Sequence, residues 1–211
     1  MEIHENILET LGNTPLIRLG RFFQGPATLA AKIESFNPGG SVKDRIGLAL
    51  IQAGEKSGAL RHGGTIVEPT LGNTGLALAM AANLKGYKMV CTAADKIPAE
   101  KVALLKALGA EVITCPTHVA PDDPRSYYRV AEKIRDERGA YLPNQYANPA
   151  NPRAHLKTTG PEIWRQTEGK ITHWVAGIGT GGTISGTARF LKEKNPGIQV
   201  IGVDTEGSVY A

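Results

Sequence analysis

Strand-like and helix-like patterns alternate along nearly the whole chain, and this alternation limits the folds it can adopt. Short apolar runs predict strands at residues 27–33, 65–68, 87–92, 111–115, 172–176 and 199–204. Longer helical patterns follow at residues 42–57, 74–85, 98–108, 125–138, 155–167 and 183–194. Strands that alternate with helices form parallel sheets with crossover helices. We therefore predict an α/β, doubly wound protein in which residues 142–153 form a loop.

A glycine loop at residues 177–182, GIGTGG, lies between a predicted strand and a predicted helix. Its backbone N–H groups and the helix N-terminus favour an anion, and a phosphate monoester is the simplest ligand. Thr180 and Thr183 add hydroxyl donors. The GxGxxG spacing, with Asp204 further on, is also typical of dinucleotide sites, so the loop alone leaves both cofactors open.

A second loop of this kind, at residues 70–75 (TLGNTG), also joins a strand to a helix. Asn73 or Thr74 could cap that helix through its side chain. Free N–H groups at the helix start could instead hold a carboxylate. Ligands of doubly wound folds bind beyond the carboxyl ends of the strands, where both glycine loops are expected.

Lys43 lies in the segment PGGSVKDR, residues 38–45. Ser41 is predicted to cap the following helix, and Asp44 stands at the spacing of a capping box. Lys43 then falls in the first helical turn, where the positive end of the helix dipole disfavours an ammonium group. An amine with a lowered pKa can form a Schiff base with an aldehyde. A solvated lysine whose charge Asp44 offsets is the alternative interpretation.

Composition excludes several classes of function. The net charge is only +4, and no basic-aromatic stripe is present, so we expect no nucleic-acid partner. No apolar run approaches the length of a membrane span, and the first residues do not resemble a signal peptide. Cys91 and Cys115 lie in apolar runs without metal or redox spacing, which predicts buried free thiols and a cytoplasmic protein. The five histidines lack ligand spacing, so we predict surface or structural roles for them and no metal site.

Five ordered motifs resemble the cysteine synthase and cystathionine β-synthase family, which comprises fold-type II enzymes dependent on pyridoxal phosphate (PLP). The motifs are NTPL at residues 13–16, NPGGSVKDR at 37–45, EPTLGNTG at 68–75, QYANPAN at 145–151 and GTGGT at 179–183. Three further segments are similar to the cystathionine β-synthase branch, namely residues 96–102, 123–126 and 202–208. The resemblance extends over essentially the whole chain.

The resemblance implies two doubly wound sub-domains of the tryptophan-synthase-β-like type. Residues 1–42 and 148–211 would form the large PLP-binding sub-domain, and residues 43–147 the smaller, mobile one. Roughly the last third of the family's catalytic core has no counterpart in this sequence. We therefore expect the carboxy-terminal part of the large sub-domain to be missing.

The resemblance also implies roles for particular residues. Lys43 would bind PLP covalently and later act as the base at the α-carbon of the substrate, and Asn73 would hydrogen-bond the ring hydroxyl of the cofactor. The cofactor phosphate would be held by Gly179, Thr180, Gly181, Gly182 and Thr183. The substrate α-carboxylate would be bound by Thr70, Gly72, Asn73, Thr74 and Gln145.

The implied activity is β-replacement on serine or O-acetylserine by a thiol. The leading form is that of a cystathionine β-synthase, which converts serine and homocysteine to cystathionine in transsulfuration. The alternative is a cysteine synthase, which makes cysteine from O-acetylserine and sulfide. In either case we expect small amino-acid substrates and a homodimer.

Two other functions stay open. Leu71 occupies a loop position that is normally Ser, or sometimes Ala, in the family, so a truncated or degenerate homologue without catalysis is one alternative. An NAD-dependent oxidoreductase is the other, based on the glycine spacing and Asp204. The oxidoreductase hypothesis accounts for neither Lys43 nor Asn73.

Overall fold

A computed structural model describes residues 3–70 and 72–208, with helices and strands in alternation. The strands are β1 (Leu16–Arg18), β2 (Ala30–Lys32), β3 (Thr65–Pro69), β4 (Lys88–Ala94), β5 (Glu111–Cys115), β6 (His173–Gly177) and β7 (Gln199–Val203). The helices are α1 (Lys43–Ser57), α2 (Asn73–Leu84), α3 (Ala99–Ala107), α4 (Tyr127–Arg138), α5 (Ala150–Lys157), α6 (Thr159–Gln166) and α7 (Gly182–Lys194). Short 3₁₀ helices span Ile7–Thr10 and Glu34–Phe36.

The main sheet has the parallel order β3-β4-β5 and is covered by helices on both faces. Successive side chains of a strand point to opposite faces. On β3, Ile66 accordingly packs with Leu50 of α1 and its neighbours in α2 and α3, whereas Val67 packs with Ala131 and Ile134 of α4. The predicted doubly wound α/β architecture is confirmed.

Two smaller sheets complete the fold. Strands β6 and β7 are parallel neighbours joined by α7, and Ile163, Leu191 and Ile198 form the core beside them. Strands β1 and β2 form an antiparallel pair. Helix α1 packs on both α2 and α5, so it connects the main sheet to the helices near β6. The division into sub-domains at residues 43–147 stays a prediction.

The segment around residues 142–167 differs from the sequence prediction. Helix α5 begins at Ala150, within the predicted loop, because Pro152 falls in its first turn, where a missing N–H removes no helical bond. The predicted helix 155–167 is two helices that meet at Thr158 (φ −123°, ψ −69°). Pro161 cannot bond to the preceding turn and is accommodated by starting α6 anew. Strand β1 was missed because its apolar run is only two residues long, Leu16 and Ile17, before Arg18.

A buried ion network ties the amino-terminal segment to α1 and α6. The Arg45 guanidinium donates to both carboxylate oxygens of Glu34 at 2.7 and 2.8 Å, and to both of Glu162 at the same distances. Lys32 adds a bond to Glu162 Oε2 at 2.8 Å and a bond to the Thr14 carbonyl at 2.9 Å. Two cations thus meet two carboxylates, so the charges balance in a region from which water is largely excluded.

The two cysteines, Cys91 and Cys115, are free and buried, as predicted. Burial raises the pKa of Cys91 to about 12, with a contribution from the nearby Glu68 carboxylate, and burial also raises the pKa of Cys115. None of the helices in the described part of the chain combines the length and the apolar character that crossing a bilayer requires.

Replacing Glu162 by Gln is expected to destabilise the fold in a pH-dependent way. Burial alone would raise the pKa of Glu162, but bonds from Arg45 and Lys32 outweigh it and hold the pKa at about 2. The stabilisation is therefore full above the ordinary glutamate pKa and is lost as the pH falls towards 2. Urea unfolding should show a cost of about 3–5 kcal/mol at neutral pH that shrinks below pH ~4.5.

The matched control is Glu193→Gln, whose side chain is 59% exposed on α7 and should cost less than about 1 kcal/mol. A Glu162→Gln cost that stays constant down to pH ~2 would contradict the assigned charge state.

Candidate functional site

A cleft of about 320 Å³ opens at the carboxyl edge of β3, between the start of α1 and the start of α2. It is lined by six of the residues predicted to bind cofactor or substrate, namely Lys43, Thr70, Gly72, Asn73, Thr74 and Gln145. Tyr127, Tyr128 and Tyr146 form part of its wall. Leu71 lies outside the described residues. The cleft therefore brings together segments that are about a hundred residues apart in sequence.

The start of α1 holds Lys43 as predicted. Ser41 Oγ accepts a hydrogen bond from the Lys43 N–H at 3.1 Å, and Val42 already has helical torsion angles. Asp44 Oδ2 accepts from the Gly39 N–H at 2.7 Å and the Ser41 N–H at 3.5 Å, so its carboxylate closes the preceding turn. These bonds fix the direction in which α1 leaves the cleft.

Burial lowers the pKa of the Lys43 amine. The direction of this shift agrees with the prediction, but its cause does not. The pKa is lowered because burial removes water from the ammonium group, whereas the prediction attributed the shift to the helix dipole. Lys43 makes no ion pair with any of the described residues. A desolvated amine without a counterion is available in its neutral, nucleophilic form more readily than a surface lysine.

The loop before α2 is arranged differently from the capping prediction. Gly72 is the residue that precedes the helix, and neither Asn73 nor Thr74 caps it through its side chain. The Thr74 hydroxyl instead donates to Gln145 Oε1 at 2.7 Å. The first N–H groups of α2 have no acceptor within the helix, so this end of the cleft can bind an anion.

Gln145 is held on three of its polar groups. Its N–H donates to Glu68 Oε1 at 3.0 Å, its carbonyl accepts from Asn151 Nδ2 at 2.8 Å, and its Oε1 accepts from Thr74. With Oε1 facing the Thr74 hydroxyl, the Nε2 end of the carboxamide is directed away from Thr74. Its Nε2 has no acceptor among the described residues and is left as a donor to a ligand.

Glu68 anchors the Gln145 segment and was not assigned a role from the sequence. It is 1% exposed, and its carboxylate accepts from the N–H groups of Asn144 at 2.8 Å and Gln145 at 3.0 Å. Burial raises its pKa to about 7, although those two bonds act in the opposite direction. The one signal available in the sequence was an acidic residue inside an otherwise apolar strand.

The second glycine loop does not line the cleft. Within the described residues, the N–H groups of Gly179, Thr180 and Gly181 have no protein acceptor. Gly181 has φ +76°, which favours glycine, and a side chain at Gly179 or Gly181 would meet only open space. The open N–H groups and the start of α7 form a cradle suited to an anion.

His155 connects this loop to the interior and takes the structural role, one of the two predicted for the histidines. It is 1% exposed, and its ring nitrogens contact Thr159 Oγ1 at 2.9 Å and Thr183 Oγ1 at 3.3 Å. Burial lowers its pKa to about 4, with further contributions from the charges of Arg45 and Lys43. The imidazole is therefore neutral and holds the Thr183 hydroxyl through its Nε2.

Residues 7–211 match the family described as pyridoxal-phosphate dependent enzymes. The chain belongs to this family. It is 49% identical to cystathionine β-synthase of Oryctolagus cuniculus over 100% of this chain and 39% of the rabbit protein. It is 46% identical to cysteine synthase B of Pseudomonas aeruginosa over 97% of this chain and 68% of that protein. The crystal structure of an O-ureido-L-serine synthase matches with a TM-score of 0.92 and 36% identity, covering 99% of this chain and 65% of that one.

Membership of the pyridoxal-phosphate dependent family confirms the resemblance and decides between the cofactors that the glycine loop left open. The residues present fit PLP, because Lys43 offers a desolvated amine for its aldehyde and the glycine loop offers N–H groups without protein acceptors for its phosphate. Asp204, the basis of the dinucleotide alternative, follows β7 and accepts from the Thr205 N–H at 2.8 Å. The chain spans about 39% of the length of its rabbit relative.

Replacing Glu68 by Gln is expected to alter the pH dependence of stability. The folded-state pKa of about 7 lies above the ordinary value of 4.5, so the native state binds more protons than the unfolded state and loses stability as the pH rises between them. In urea unfolding, the stability of the unsubstituted protein relative to Glu68→Gln should fall by on the order of 3 kcal/mol between about pH 4 and pH 8.

Glu193→Gln serves again as the control for removing a carboxylate, because its side chain is 59% exposed and its loss should cost less than about 1 kcal/mol. A flat difference for Glu68→Gln would show that Glu68 keeps an ordinary pKa.

Proposed function

We propose that the protein catalyses PLP-dependent β-replacement on serine or O-acetylserine, with a thiol as the second substrate. The observation that carries this proposal is the placement of Lys43 in one cleft with Asn73, Thr74 and Gln145. A desolvated amine faces donors suited to a carboxylate, which is the arrangement needed to bind an amino acid beside a Schiff-base lysine. The names of the relatives, cystathionine β-synthase and cysteine synthase, support the same class of reaction.

Several groups would hold the cofactor and the substrate. Gly179, Thr180, Gly181, Gly182 and Thr183 would bind the phosphate of PLP. Asn73 would hydrogen-bond its ring hydroxyl. PLP supplies an electron sink for the pair of electrons left at the α-carbon. The α-carboxylate would lie at the start of α2, where the Gln145 Nε2 donor and the free N–H groups converge.

Lys43 would take the proton from the substrate α-carbon, since burial favours its neutral amine. In the reaction with serine and homocysteine, the Cβ–O bond of serine breaks and a Cβ–S bond forms. The thiol proton and the hydroxyl leave as water, and the α-proton returns to the same carbon. Lys43 Nζ is the group that holds that proton between the two steps.

We favour serine and homocysteine as the substrates, because the cystathionine β-synthase of rabbit matches the whole of this chain at 49% identity. O-acetylserine and sulfide are the second candidate pair, supported by the 46% identity to cysteine synthase B. The three tyrosines of the cleft wall favour the larger thiol, since an aromatic surface can pack on the methylene groups of homocysteine.

Borohydride reduction of the protein after incubation with PLP should place a pyridoxyl group on Lys43. Peptide mass spectrometry measures the site. The matched comparison is Lys32, which is also buried, at 5% side-chain exposure, but is ion-paired with Glu162 and should stay unmodified. An adduct at another lysine, or modification that persists unchanged in Lys43→Arg, would reject the assignment.

Product analysis should separate the candidate reactions. With PLP present, serine and homocysteine are expected to give cystathionine faster than O-acetylserine and sulfide give cysteine, as measured by mass spectrometry of the products. The reverse order would favour the cysteine synthase. A third outcome is that Lys43 carries the pyridoxyl group but neither product forms. If the Leu71→Ser variant also forms neither product, the non-catalytic homologue is favoured.

A further inference from the structure

Asn151 links two parts of the site that are distant in sequence. It lies in the first turn of α5 and is 1% exposed. Its Nδ2 donates to the Gln145 carbonyl at 2.8 Å and to Thr180 Oγ1 at 2.9 Å. One amide group thus uses both of its N–H bonds, one towards the Gln145 segment and one towards the glycine loop.

The partners fix the orientation of the Asn151 amide. The Gln145 carbonyl can only accept, so the amide atom that faces it must be the nitrogen. A turned amide would bring two acceptor oxygens together. The same nitrogen therefore also faces Thr180, and Thr180 Oγ1 is the acceptor of that bond.

This orientation determines where the hydroxyl proton of Thr180 points. A hydroxyl group has one proton and two acceptor positions. Asn151 Nδ2 occupies one acceptor position, and the Gly182 N–H approaches the same oxygen at 3.5 Å. Because both donors point at the oxygen, the proton is directed away from them and can be donated to a ligand.

The other amide atom shows that the arrangement is maintained at a cost. Asn151 Oδ1 is buried and has no hydrogen-bond partner among the described residues. It fills the space beside Gly182, where a Cβ would come within 1.9 Å of it. An unpaired buried acceptor is unfavourable by about 1–3 kcal/mol. The amide nevertheless keeps this orientation, since turning it would lose the bonds to Gln145 and Thr180.

We propose that Asn151 is a positioning residue that makes the Thr180 hydroxyl a donor to the anion in the glycine loop and joins that loop to Gln145. The inference rests on the proposed function, because the anion there would be the phosphate of PLP. The new element is that one side-chain amide, that of Asn151, binds both the Gln145 segment and the glycine loop. A change at Asn151 should therefore act on anion binding through Thr180.

Asn151→Asp and Asn151→Ala distinguish this role from a space-filling one. Aspartate has nearly the same volume but can only accept, so it would take the Thr180 proton, turn the donor away from the anion and add a negative charge. Alanine leaves the Thr180 hydroxyl free to rotate. Positioning therefore predicts that Asp weakens anion binding more than Ala, whereas simple packing predicts that Ala, which leaves a cavity, is the more harmful change.

Equilibrium dialysis of the PLP-free protein against inorganic phosphate, and separately against PLP, tests this order. We expect Asn151→Asp to weaken phosphate binding by roughly tenfold to a hundredfold, the range for a lost hydrogen bond to a charged group, and Asn151→Ala by less. Asn6→Asp is the matched control, because Asn6 is an exposed helix cap that Asp can replace, and it should leave the affinity unchanged.

A second pair of variants keeps the test decisive if Asn151→Asp fails to fold. The single variant Thr180→Val should weaken phosphate binding. The double variant that also carries Asn151→Ala should bind no more weakly, because both side chains act through the Thr180 hydroxyl. Equal affinities, an Ala variant weaker than Asp, or additive losses would overturn the inference while leaving the proposed function intact. Failure of the unsubstituted protein to bind phosphate or PLP would overturn both.

Discussion

Burial of the Arg45 guanidinium between Glu34 and Glu162 is the constraint on which the candidate site depends. Successive residues of an α-helix are about 100° apart, so Lys43 and Arg45 face nearly opposite sides of α1. With Arg45 held in the interior by charge-assisted bonds, Lys43 must face the cleft. Buried ion pairs add little net stability, but they restrict alternative arrangements of the groups around them. In this fold they orient the start of α1.

Three buried polar residues hold the loops of the candidate site, both those that line the cleft and the glycine loop. Glu68 binds the N–H groups before α5, Asn151 joins Gln145 to Thr180, and His155 supports Thr183. Every one of these side chains is at most 1% exposed. Since a buried polar group without a partner is costly, each contact restricts its loop to a narrow set of conformations. The loops of the site are consequently held by buried side chains that do not themselves line the cleft.

The sequence predicted the strand–helix alternation because each element carries its own periodicity and end signals. Lys43 was also predictable, since Ser41 and Asp44 form a local cap around it. The supports were not, because Glu68 and Asn144 are 76 residues apart and no local pattern reports such a pairing. For the same reason the sequence predicted surface or structural roles for the histidines without singling out His155 as the buried one. Its environment depends on contacts with Thr159 of α6 and Thr183 of α7, which lie later in the sequence.

The buried thiols have a consequence for a protein that we propose handles free thiols. Exchange between a thiol and a disulfide requires a thiolate, and burial keeps Cys91 protonated, with a pKa of about 12. Cys115 is shielded in the same way. Sulfide or homocysteine entering the cleft would meet no reactive sulfur from these two cysteines. A disulfide formed from the substrate thiol would likewise find no thiolate to exchange with, so mixed disulfides that would deform the main sheet do not form at these cysteines.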